Sequence, residues 1–233
     1  MIVAVVQART GSSRLPDKVM MDLNGRTVLA HVLDRARAIP GVDQVCCAVP
    51  DLPEDDPLAE LAKRLGALVV RGSQTDVLSR YLKAARETGA DAVVRITSDC
   101  PVLDPEVAGR VLAALDGAQA YASNVDPRSW PKGLDAEAFT REALERAAVE
   151  AALPYDREHV TPWMRRAEGV SRANVALPDD GCAGWRWTLD YAEDLTFLRA
   201  LLAEAPGTRP DFEALRRVVE AHPELPRING HLS

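Results

Sequence analysis

The stretch Gln7-Ala-Arg-Thr-Gly-Ser-Ser-Arg-Leu-Pro-Asp-Lys18, directly behind the apolar run Ile2-Val-Ala-Val-Val6, decides how this chain is read. An uninterrupted run rich in β-branched residues suits a strand buried on both faces. The loop behind it carries three cations, Arg9, Arg14 and Lys18, with two serines, a threonine and one glycine. Gly11 is expected to let the backbone turn its amides toward one point, and Pro16 to stiffen the exit. A strand that ends in a basic, glycine-containing loop can hold a polyphosphate. No Gly-Lys-Ser/Thr closes the loop and no Gly-x-Gly-x-x-Gly opens it, so neither the common triphosphate loop nor the dinucleotide loop is present.

Outward from this loop, strand and helix patterns alternate. Strands are expected at Ile2–Val6, Gln44–Val49, Leu68–Val70, Ala92–Ile96 and Ala120–Ser123. Helices are expected at Val28–Ala38 behind an Asn24-Gly25 turn, and at Leu58–Leu65, Val77–Glu87 and Glu106–Ala114. That alternation predicts an α/β protein, a mostly parallel sheet with helices on both faces. The pattern breaks at Asn124-Val-Asp-Pro-Arg-Ser-Trp-Pro-Lys-Gly133, and residues 124–175 read as a small inserted lobe covering one sheet edge. Within it, Arg141–Ala152 and Val160–Ala167 read as helices and Leu153–Glu158 as irregular. Trp187–Asp190 reads as a short late strand, followed by helices Ala192–Ala203 and Asp211–Ala221, the last capped by Asp211. All 233 residues fit one domain.

The net charge of −7 excludes a general nucleic-acid binder, which shows a basic face. No apolar stretch approaches the ~20 residues of a membrane span. Met1–Val6 lacks a basic leader, so a cytoplasmic protein with no membrane partner is expected. The four cysteines form no Cys-x-x-Cys pair, which argues against zinc. Cys46 and Cys47 are expected to point to opposite faces of one strand as small buried residues.

In an open parallel sheet, ligands bind beyond the carboxyl ends of the strands. Candidates there are residues 7–18, Pro50-Asp51 and Thr97-Ser-Asp-Cys-Pro101. Asp99 is either a ligand-binding carboxylate or a turn residue. Asp190 is either a second such carboxylate or the N-cap of the helix near Ala192. Composition and pattern leave both open.

Several separated motifs then resemble one family in their order along the chain. They are the basic loop itself, Arg95-Ile-Thr-Ser-Asp-Cys-Pro101, Leu103-Asp-Pro105, Gly133-Leu-Asp135, Glu158-His-Val-Thr161 and Arg186-Trp-Thr-Leu-Asp190 with Glu193-Asp194. Together they resemble the acidic-sugar cytidylyltransferases, closest to the 3-deoxy-manno-octulosonate branch and the spore-coat polysaccharide biosynthesis protein F group. The resemblance implies a Rossmann-like nucleotide-diphospho-sugar transferase fold. It also implies a CTP-dependent enzyme that couples CMP to a sugar-acid acceptor and releases pyrophosphate, for polysaccharide or glycoconjugate synthesis. By the same resemblance Asp99 and Asp190 hold Mg²⁺, although Ser98 stands where that family more often has glycine. Lys18 and Arg14 join them as catalytic residues, at the phosphates. Ala8, Arg9, Gly11, Ser12, Ser13, Arg14, Lys18, Pro50, Asp51 and Thr97 bind the nucleotide. Asn124, Asp135, Glu137, Glu158 and His159, with Lys132, bind the acceptor. A homodimer formed through the inserted lobe is implied as well. Two other classes share parts of this pattern. A GT-A glycosyltransferase would need an Asp-x-Asp after a strand, and none is convincing here. A nucleotide-binding protein without turnover would not need Lys18 and both aspartates.

Overall fold

The computed structural model describes residues 1–178 and 181–232. Its elements, in chain order, are β1 (Ile2–Gln7), β2 (Asp22–Leu23), β3 (Arg26–Thr27), α1 (Val28–Arg37), β4 (Gln44–Pro50), α2 (Asp56–Arg64), β5 (Leu68–Gly72), α3 (Val77–Thr88), β6 (Ala92–Thr97) and α4 (Pro105–Ala113). They continue with β7 (Tyr121–Ser123), β8 (Glu137–Thr140), α5 (Arg141–Glu150), α6 (Pro154–His159), α7 (Pro162–Arg166), β9 (Arg172–Asn174), α8 (Ala192–Glu204), α9 (Phe212–Ala221) and α10 (Pro226–Asn229). Seven strands form one sheet in the order β5-β4-β1-β6-β8-β7-β9. β1 pairs in parallel with β4 and with β6, and β4 in parallel with β5, so four carboxyl ends open along one side. β2 and β3 form a separate hairpin whose Asn24 and Gly25 both have positive φ, the conformation that an Asn-Gly turn favours.

Alternation along the strands sorts their side chains onto two faces. Ala4, Val6 and Cys47 join α1, α2 and α4 in one core layer; Val3, Val5 and Cys46 join α3 and α5 in the other. The adjacent cysteines thus lie on opposite faces, as the period of a strand requires. A third cluster holds Trp130, Trp187 and Phe212 with residues of α8 and α9. Trp130 meets Phe212 edge-on at 5.1 Å between ring centroids.

The differences from the sequence reading fall after residue 124. That segment contributes to the sheet itself: β8 lies between β6 and β7, antiparallel to both, and β9 forms an edge. Leu153–Glu158, read as irregular, contains most of the short helix α6. Trp187–Asp190 is not a strand. Its amides go singly to separate carbonyls, Trp187 to Lys132 at 2.6 Å and Leu189 to Asp99 at 2.8 Å, so no ladder forms. Gly133 makes room for this extended segment. A Cβ there would lie 2.5 Å from the Trp187 carbonyl carbon, and its φ is +114°.

Candidate active site

A cavity of about 300 Å³ opens at the carboxyl ends of β1 and β6. Its floor is Gln7 and Thr97, a register pair of adjacent strands, with Arg95 two residues deeper on β6. The basic loop forms one rim through Ala8, Arg9, Ser12, Ser13, Arg14 and Lys18. Asp99 and Asp190 stand at that side; Val77 and Arg80 of α3 and Glu158 and His159 of α6 stand across from it.

The loop is pinned through Thr10. Buried Asp55 accepts from the Thr10 amide at 2.7 Å and from its hydroxyl at 2.9 Å. The Thr10 carbonyl in turn accepts from the amides of Ser12 and Asp17. This corrects two expectations. Gly11 is not among the residues of positive φ, and the left-handed residue of the loop is Asp17, at φ 56°. The Ser12 amide is engaged within the loop and is not free to donate to an anion.

Lys18 is the centre of the rim. Its ammonium donates to Asp190 Oδ1 at 2.9 Å and to the Leu189 carbonyl at 2.7 Å, and lies 3.7 Å from Asp99 Oδ2. The Leu189 amide and the Thr188 hydroxyl both donate to the Asp99 carbonyl, at 2.8 and 3.1 Å. Two segments far apart in sequence are thereby tied, and their carboxylates converge on one cation. Arg14 adds a second contact to Asp190 Oδ1 at 2.9 Å, its guanidinium lying over the Tyr191 ring. Burial alone would raise the Asp190 pKa, but Lys18 and Arg14 outweigh it and hold the carboxyl at about 2.

Asp190 is not the cap of α8. The N-cap is Tyr191, and the fully buried Asp194 at the third helical position closes its capping box, its Oδ2 accepting the amides of Asp190 and Tyr191 at 2.8 and 3.0 Å. Asp194 also takes two hydrogen bonds from Arg186, at 2.8 Å each, and one from the Asn229 side chain at 2.9 Å. Asp190, relieved of the capping duty, turns its carboxylate to the cavity, where Arg186 also reaches its Oδ2 at 3.3 Å.

The opposite wall behaves differently. Arg80 is 2% exposed, yet its Nε and one terminal nitrogen are buried without a hydrogen-bond partner among the described residues. Its stem fits against Gly72, where a Cβ would approach within 2.9 Å. Arg95 donates to Glu137 Oε2 at 2.5 Å, its partner in the β6–β8 register, while its Nε has no partner. Glu137 also accepts from Tyr121 at 2.5 Å and from Arg165 at 2.6 Å. Burial would raise Glu137, but the two guanidiniums prevail and hold it at about 2. Two cations thus share one carboxylate behind the cavity.

Glu158 and His159 end α6, and the chain leaves them through an unusual turn. Val160 has φ 71° and ψ −55°, and the Thr161 amide donates to the His159 carbonyl at 2.8 Å. This is a γ-turn of the rare positive-φ kind, and for a β-branched residue such backbone costs about 1–3 kcal/mol.

Of the expected site residues, the structure gathers Ala8, Arg9, Ser12, Ser13, Arg14, Lys18, Thr97, Asp99, Asp190, Glu158 and His159 around this cavity. Others lie outside its lining. Asp51 is 76% exposed and faces Arg71, and the Pro50 carbonyl accepts from the same arginine. Asn124 is fully buried and bonded to the Leu134 carbonyl and the Ala136 amide, so it has a structural duty. Asp135 is held by both ends of the Arg128 guanidinium, and Glu137 is engaged as described. Gln7 and Ser98, within the strand-exit stretches that the sequence offered, also line the cavity, whereas Val77, Arg80 and Arg95 were missed. For Arg95 there was a signal: two residues before Thr97, it shares that residue's face of β6.

A parallel-sheet cavity with a basic loop on one side and paired aspartates beside it defines a nucleotide-handling α/β protein. Residues 3–201 match the family model for cytidylyltransferases, and the chain belongs to that family of nucleotidyltransferases. The spore coat polysaccharide biosynthesis protein SpsF of Bacillus subtilis is 30% identical over 91% of this chain and 90% of its own. A 3-deoxy-manno-octulosonate cytidylyltransferase of Anaeromyxobacter is also 30% identical, over 95% of this chain and 85% of its own. Among solved structures, a cytidylyltransferase from Leptospira borgpetersenii superposes with a TM-score of 0.90 at 29% identity, covering 96% of this chain and 95% of that one. No helix among the described residues is long and apolar enough to cross a membrane.

Proposed function

We propose that this enzyme joins CMP from CTP to a hydroxyl group of a sugar-acid acceptor and releases pyrophosphate. The observation that carries the reading is Lys18, fixed between Asp190 and Asp99 at the mouth of β1. In such a transfer the acceptor oxygen bonds to the α-phosphorus, the bond to the bridging oxygen breaks, and the hydroxyl proton leaves to solvent. Negative charge grows on the bridging and equatorial oxygens. Lys18 and Arg14, already oriented, stabilise that charge without reorganising. Asp190, held at about 2, is too weak a base to take the acceptor proton near neutrality, so its role is charge and position.

A divalent cation fits the donors present. Asp99 and Asp190 present carboxylate oxygens to the cavity, both already facing the Lys18 ammonium, and the described residues contain no group of three or more metal-binding side chains, so the rest of the shell would come from the substrate. Mg²⁺ is commonly held by one or two carboxylates together with substrate phosphates. When bound, it would supply Lewis-acid stabilisation of phosphate charge.

The nucleotide lies between the basic loop and Arg80, whose N–H groups without a partner among the described residues offer donors to an acceptor-rich ligand. Glu158 and His159 serve the acceptor, and the surplus positive charge at Arg95 and Arg165 suits an acid. The segment 124–175 also carries the expected homodimer contact, supported by the exposed Val149, Leu153 and Tyr155, and light scattering would test it. The functional test is pyrophosphate release with Mg²⁺, each of the four ribonucleoside triphosphates, and a panel of 2-keto-3-deoxy sugar acids. Release with CTP and an acid acceptor is expected. Release dependent on a neutral acceptor, or on another triphosphate alone, would overturn the reading.

A further inference from the structure

We infer that Val160 is a positioning residue, whose buried side chain holds a γ-turn that fixes where Glu158 and His159 stand in the cavity. This rests on the reading of those two residues as the acceptor side of the site. The turn is anchored on both flanks. Ahead of it, Arg157 binds Asp76 at the start of α3 through two hydrogen bonds, at 3.1 and 2.5 Å, and the Ala148 carbonyl at 2.8 Å. Fully buried Asp156 pairs with Arg166 of α7 and accepts the Val160 amide. Behind it, Pro162 begins α7 at once.

Between those anchors the backbone adopts a conformation that an unconstrained valine avoids. What keeps it there is the isopropyl group, fully buried in the core layer that includes Val170, Trp163 and Met164. Strained backbone persists only where the surroundings over-determine it, and such residues cluster at functional sites. Here the strained residue directly follows two exposed side chains that line the cavity. Without the turn, α6 would run on or fray, and the two side chains would leave the cavity wall. His159 also lies against the Tyr155 ring, 4.4 Å between centroids, so its environment reports its position.

The test is Val160→Gly, which removes both the buried group and the barrier to other backbone angles, beside Val160→Ile, which keeps both. The proton NMR line of the His159 ring, assigned by its loss in His159→Ala, should be shifted by Tyr155 in the natural protein and in Val160→Ile. In Val160→Gly it should move toward the position of a free imidazole. The KM for the probe 3-deoxy-manno-octulosonate should rise about tenfold or more in Val160→Gly, with CTP affinity unchanged. Should Val160→Gly fail to fold, Val160→Ala is expected to give the same pattern in reduced size. An unmoved His159 line in a folded glycine or alanine variant overturns the inference. If the line moves but neither Val160→Gly, Glu158→Gln nor His159→Ala alters acceptor kinetics, the positioning role stands and the acceptor reading fails.

Discussion

Two walls of one cavity handle charge in opposite ways. On the Asp190 side the protein supplies every partner itself: Lys18 and Arg14 neutralise the carboxylate, and Asp194, Arg186 and Asn229 fix the backbone beneath it. Across the cavity Arg80, and below it Arg95, keep buried N–H groups with no partner among the described residues. On the proposed reading the first wall is preorganised for charge that develops during reaction, and the second holds donors in reserve for a ligand. An unsatisfied buried donor costs roughly 1–3 kcal/mol, so the second wall lowers the stability of the free protein.

The comparison breaks most severely at Glu137. Glu137→Ala leaves Arg95 and Arg165 without their carboxylate, and removing one partner of a buried ion network costs about 3–5 kcal/mol. Urea unfolding at neutral pH should show that loss; a change below about 1 kcal/mol would mean the guanidiniums do not depend on it.

Next comes Asp190→Asn, which should keep the fold and lower turnover roughly a hundredfold, the scale of losing one preorganised electrostatic interaction. Asp99→Asn should follow it, and Lys18→Ala should lower kcat more than nucleotide affinity. Turnover within threefold of the natural enzyme would show that the first wall is structural only.

Acid should weaken both walls together. The folded pKa values of Asp190 and Glu137 lie near 2, below the ordinary values of 3.8 and 4.5. Their stabilisation is therefore complete above about pH 5 and is lost as pH falls toward 2. Urea midpoints measured between pH 6 and pH 3 should fall, and should fall less steeply in Asp190→Asn.

Arg80→Met sharpens the contrast because stability and binding should move in opposite directions. An apolar side chain of similar length removes the unpartnered donors, so the melting temperature should rise or hold while CTP affinity drops about tenfold. A lower melting temperature with unchanged affinity would assign Arg80 to the structure. The smallest effect belongs to Asp51→Ala, outside the cavity lining, where CTP affinity should stay within about twofold.

The loop side of the first wall was legible because one short segment carries Arg14 and Lys18. A buried strand, a basic loop and a strand-exit aspartate announce themselves by composition and by the geometry of parallel sheets. The choice between a capping and a ligand role for Asp190 was not legible, since it turns on Asp194 four residues later accepting the amides instead. The second wall was hardly readable at all. Arg80 lies in an ordinary amphipathic helix, and only the close approach of Gly72 and the missing partners set it apart. Asn124 and Glu137 have the polarity of ligand-binding residues, but their bonds close inside the protein. Strand β8 escaped notice because its four residues are too few to show a period.

The antiparallel β8 also governs the order in which the molecule can be assembled as the chain is synthesised. β7 is made before β8, yet the strands it pairs with are β8 and β9, so it cannot join the sheet on arrival. β6 meanwhile pairs with β1 and presents a bare outer edge. Arg95 waits 42 residues for Glu137. Closing that edge and neutralising that guanidinium are one event, and until it happens the nascent chain exposes the kind of open strand that invites association with its neighbours.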